Sequence, residues 1–129
     1  MSLRVQDFEN TTHAASLRDV ETAINKRFGG VNSFWLSHDD EKSPALSMLV
    51  RDDLAYLLYF PNDSHPGFAS VGDVTELKRG ESTIFFLDTP QQEQEILNEF
   101  VIHFSKAVEV VKEFFASKDR PRTIQWFEL

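Results

Sequence analysis

Cysteine is absent from the 129 residues, which excludes disulfides, thiolate nucleophiles and cysteine metal sites and fits a reducing compartment. No apolar run approaches the roughly 20 residues needed to span a bilayer, and the first residues show no basic segment followed by an apolar one. A cytoplasmic location is therefore expected. Positive charge is scarce: 13 Lys and Arg stand against 21 Asp and Glu, a net charge of -8. Such a surface repels phosphate and anionic lipid and attracts basic proteins, so direct nucleic-acid or membrane binding is disfavoured. Phosphate loops are missing too. Neither GxxxxGK[ST] nor a strand-following GxGxxG occurs, which leaves ATP or dinucleotide use unsupported and no cofactor expected.

The four histidines, His13, His38, His65 and His103, lack HExxH or HxxxH spacing. The run His38-Asp39-Asp40-Glu41 lacks the glycine and spaced oxygens of a calcium loop. No metal site is expected, and that run reads as a solvated loop or a partner contact. His65, in Ser64-His65-Pro66-Gly67, could serve as a general base if Asp63 or Asp73 oriented it. No nucleophile is evident beside it, because Ser64 lacks the GxSxG setting.

What is present is apolar material in quantity: 41% of residues are apolar, and twelve Phe are among them. The length suits one core and is short for two ordinary domains, so a single domain over 1–129 is expected. A short strand is predicted around Leu3 to Phe8. Ser16-Leu17-Arg18-Asp19 has the form of a helix start, Leu17, Val20, Ile24 and Phe28 share a helical face, and Gly29-Gly30 supplies a stop. From Val31 the period becomes two, with Phe34 and Leu36 on one side and Trp35 on the other. A polar loop is placed over Ser37 to Ser43. Leu46, Met48 and Val50, then Leu54, Tyr56, Leu58 and Phe60, alternate along two strands joined by a turn at Asp52-Asp53.

Further strands are expected at Phe68 to Val71 and Ser82 to Leu87, with an extended segment from Glu93 to Ile102. Ser105 is read as the cap of a second helix with the stripe Ala107, Val110, Val111 and Phe114, broken at Arg120-Pro121 and followed by a closing strand at Ile124-Gln125-Trp126. Both tryptophans and the phenylalanines are assigned to the core. The order points to an α+β fold, a largely antiparallel sheet with two main helices packed on it.

Three segments carry a resemblance: Ser47 to Asp73, which includes the strand LAYLLYF and the HPGF turn; Ala107 to Phe115 in KAVEVVKEFFASKDRP; and TIQWFEL, Thr123 to Leu129. Together they resemble the immunity proteins of bacterial polymorphic toxin systems, the α+β family often encoded beside toxins of the nucleic-acid deaminase superfamily. The resemblance implies a non-enzymatic antitoxin that binds a cognate toxin and blocks its active site. An acidic protein can occupy a basic nucleic-acid cleft by mimicking phosphate, so charge points the same way. The expected contact surface draws on Asp39, Asp40 and Glu41, on Asp52 and Asp53, and on Asp63 and His65, with Tyr59 and Phe68 as partly exposed anchors. The competing readings are a small enzyme or ligand-binding domain with a pocket around His65, and a homodimeric scaffold.

Overall fold

The computed structural model describes residues 2–39 and 41–129. The expectation for Asp40 lies outside the described residues. The chain opens with an antiparallel pair, β1 (Leu3–Gln6) and β2 (Thr11–Ala14), followed by helix α1 (Leu17–Ile24). Then come β3 (Val31–His38), β4 (Ala45–Arg51), β5 (Leu54–Phe60) and β6 (Phe68–Ser70). A hairpin of β7 (Ser82–Phe86) and β8 (Glu93–Leu97) leads through a 3-10 turn at Asn98–Phe100 to β9 (Ile102–His103), α2 (Phe104–Ala116) and β10 (Trp126–Glu128). The main sheet runs β10-β6-β5-β4-β3-β1-β2, with β9 also pairing with β5, and every pairing is antiparallel. The expected α+β architecture is the one observed.

Strand β4 explains the layering. Leu46, Met48 and Val50 join the core under α1 and α2, where Ala107, Val110, Val111 and Phe114 are fully buried. Leu49, on the other face, packs with Phe85, Ile96 and Val101, so the β7–β8 hairpin lies against the side of the sheet opposite the helices. A central strand covered on both faces needs apolar residues at nearly every position, and ALSMLVR supplies them.

Several local expectations give way to tertiary geometry. Ser16 does cap α1 by accepting the Asp19 amide at 3.1 Å, but the helix ends at Ile24, with Asn25 as its C-cap. Gly29 and Gly30 (φ 62° and 86°) instead form a tight reversal that lets Phe28 and Val31 exchange backbone hydrogen bonds. The Asp52-Asp53 turn is found, with Asp52 at φ 53°. Strand β3 continues through Ser37 and His38, both buried, where a polar loop was expected. Helix α2 starts at Phe104 after His103, with no side-chain cap, so Ser105 lies within its first turn. The closing strand is Trp126–Glu128, because the Trp126 indole N–H donates to the Pro121 carbonyl at 2.7 Å and fixes the loop before it.

Candidate partner-binding surface

Antiparallel pairing decides which predicted residues can meet. Ala45 pairs with both Ser37 and Phe60, which brings the β3–β4 connection (39–44) and the β5–β6 connection (61–67) to one end of the sheet. Arg51 pairs with Leu54 at the other end, so Asp52 and Asp53 stand roughly 20 Å away across a seven-residue strand. The expected acidic surface is thereby divided. Asp39, Glu41, Asp63 and His65 share an end; Asp52 and Asp53 belong elsewhere, beside Gly30 and the start of α2.

Among the described residues at the shared end, Asp39, Glu41 and Asp63 each have a local partner. The Ser2 hydroxyl and amide donate to Asp39, and the hydroxyl bond holds its carboxyl below the usual range. Glu41 pairs with the Lys118 ammonium, and Asp63 accepts from the Ser43 hydroxyl at 2.8 Å. In the β5–β6 loop the Asn62 carboxamide oxygen accepts from both the amide and the hydroxyl of Ser64, the local turn chemistry expected of Asn.

His65 is committed to the same framework. Its Nδ1 accepts the Gly67 amide at 2.8 Å, which leaves the proton of the neutral ring on Nε2, 2.9 Å from a Glu128 carboxylate oxygen. The ring stacks on Phe68, centroids 4.7 Å apart and planes 10° from parallel, and the Arg120 guanidinium lies 4.3 Å from the Phe68 centroid. Both imidazole nitrogens are engaged, and the Ser64 hydroxyl is turned to Asn62, so the geometry offers neither a free base nor an activated nucleophile. Among the described residues, His65 does not line the best-defined concavities of the surface, which measure about 480 to 680 Å³. Among the described residues no three metal-ligating side chains cluster.

Tyr59 corrects a second expectation. It is only 5% exposed, faces the helix side, packs against Phe114, Phe68 and Trp126, and donates its hydroxyl to the Lys118 carbonyl at 2.9 Å. Burial, then the nearby Asp119 carboxylate, pushes its phenol up. Tyr59 supports the loop end from beneath, and Phe68 is half-buried beside it.

The core assignment fails for Phe127, 54% exposed, and for Trp35, which is 44% exposed on the sheet face away from the helices. Its direction was legible from the period of two; its exposure depended on how far the β7–β8 hairpin reaches across that face. His38, placed in a loop by its polar neighbours, is instead buried and bonds the Phe114 carbonyl through Nε2 at 2.8 Å.

Fold and surface together describe an antiparallel α+β protein whose reactive groups at the loop end are tied into structural bonds while an aromatic face stays open. No family model matches the chain. Over 98 residues, 76% of this chain and 76% of the other, it is 28% identical to the double-stranded DNA deaminase immunity protein of Burkholderia cenocepacia (strain H111). That likeness bears out the resemblance to immunity proteins paired with deaminase toxins.

Proposed function

We propose that this chain is an immunity protein: an antitoxin, acting as one domain over residues 1–129, that binds a basic cognate toxin in the cytoplasm and covers its active site. The observation that carries the reading is the likeness to the deaminase immunity protein over three quarters of both chains. The net charge of -8 supports it, since a toxin acting on nucleic acid needs a positive cleft to hold its substrate. The proposed contact includes Asp39, Glu41 and Asp63 at the loop end, with His65 and Phe68 shaping the backbone between them. Asp52 and Asp53 are left out because they lie at the opposite end of the sheet.

The test uses the toxin domain encoded beside this chain. Calorimetry at two salt concentrations and a deamination assay on DNA with increasing amounts of this protein are the measurements. Tight binding, weaker at higher salt, with activity abolished near equimolar addition, is the expected result. A toxin that neither binds nor loses activity would sink the proposal.

A further inference from the structure

The sheet face away from the helices is only half covered. Its row nearest the β7–β8 hairpin, Ser33-Leu49-Tyr56, runs toward the small core around Phe85 and Ile96. The next row, Gln6-Trp35-Ser47-Leu58-Ala69-Phe127, crosses six strands in register and carries two of the most exposed large apolar side chains, Trp35 at 44% and Phe127 at 54%. Small Ser47 and Ala69 alternate with bulky neighbours along it, so the surface is grooved.

Where this row meets the end of β7 there is a trough of about 610 Å³. Trp35 and Phe60, ring centroids 5.5 Å apart, and Leu58 give it apolar walls; Asp7 and Asp88 bring carboxylates. No Lys or Arg lines it. Asp7 uses one oxygen to accept the Glu9 and Asn10 amides at 2.8 and 2.7 Å, and among the described residues neither carboxylate has an ionic partner. Arg4, in the following row, is turned to the Ser37 hydroxyl. Asp88 is held at φ 64°, its amide donating to Ser33 at 3.3 Å, so the backbone that presents its carboxylate is fixed to the sheet. An aromatic pair beside two uncompensated carboxylates is complementary to a planar cation, which stacks on the rings while its N–H groups meet the oxygens.

We infer that this trough receives an arginine-bearing loop of the toxin, the guanidinium on the Trp35 and Phe60 rings and its donors on Asp7 and Asp88. The inference rests on the antitoxin reading above and gives it an anchor. The trough is continuous with the loop end, because the Phe60 ring packs against Trp35 on one side and crowds Gly67 on the other: a Cβ on Gly67 would lie 2.9 Å from it. One partner surface can therefore span the trough and the acids beside it.

The test compares the unaltered protein with Trp35→Ala, Trp35→Phe and the double variant Asp7→Asn/Asp88→Asn, by calorimetry against the neighbouring toxin domain and by thermal melting. Asn suits both the amide-accepting role of Asp7 and the positive φ of Asp88, so the double variant should melt normally. Expected are losses of affinity on the order of tenfold or more for Trp35→Ala and for the double variant, a smaller loss for Trp35→Phe, and a shallower salt dependence for the double variant alone. If the unaltered protein binds and inhibits while these variants bind as well as it does, the trough inference falls and the antitoxin reading stands. If the unaltered protein does not bind, both fall. Self-association of the free protein, removed by Trp35→Ala in sedimentation, would assign the face to a second copy and overturn the inference.

Discussion

At the scale of single residues, the described carboxylates at and beside the loop end are held in place by local hydrogen-bond donors. Glu113, near the end of α2, is a clear case. Partial burial alone would raise its carboxyl, but hydrogen bonds from the Thr123 hydroxyl and from the Arg122 and Thr123 amides, with the Arg122 guanidinium near, bring it below the usual value. Because the folded-state value is the lower one, the stability this group adds is present above the unfolded value and is lost as pH falls through the folded one. Glu113→Gln is therefore expected to be less stable than the parent at neutral pH, with the gap closing in acid. Urea midpoints at pH 7 and near pH 3 check this, and an unchanged gap would place the effect in packing instead. Tyr59 tests the other side of the same region. Tyr59→Phe leaves the Lys118 carbonyl without its donor and should cost about 1 kcal/mol, read as a lowered denaturant midpoint with the slope unchanged.

The elements differ in how much of their origin lies nearby in sequence. Helix α1 is short, and its start depends on the Ser16 hydroxyl. Ser16→Ala should destabilise the protein by about 1 kcal/mol, whereas Ser105→Ala, within the first turn of α2 and making no capping bond, should change stability far less; thermal melts of the two variants decide it. The segment leading from β6 to the β7–β8 hairpin is held at Gly72, whose amide donates to the Glu99 carbonyl at 2.6 Å. A Cβ at Gly72 would meet that carbonyl oxygen at 2.6 Å and that of Asn98 at 2.8 Å, both of them backbone atoms with little room to yield. Gly72→Ala is expected to cost on the order of 1–3 kcal/mol and to raise amide exchange in β7 and β8 more than in β3 and β4. Uniform exchange throughout would argue that hairpin and sheet open as one unit.

For the whole molecule, charge acts at long range and packing at short range. On the proposed reading, an acidic antitoxin meeting a basic toxin, the association rate should fall steeply as salt rises from about 0.05 to 0.5 M, with a much smaller change in dissociation rate. Stopped-flow or surface-based kinetics would measure both, and an association rate indifferent to salt would remove charge from the recognition step.

Alternation along β3, β4 and β5, the apolar stripe of α2 and the Ser16 start of α1 each follow from local periodicity or local hydrogen bonding, and for that reason they were legible in the residues alone. The α+β class, the antiparallel sheet and the resemblance to immunity proteins were legible with them. Strand β2 was not, since TTHA buries only Ala14 and shows no apolar alternation at the sheet's edge. The separation of Asp52 and Asp53 from Asp39 and Asp63, the burial of Tyr59 and the exposure of Trp35 were decided in three dimensions. They depend on which strands pair, in what register, and on how far one hairpin extends over a sheet face. A period of two tells which way a side chain points; only the packing of distant segments decides whether it meets protein or solvent there.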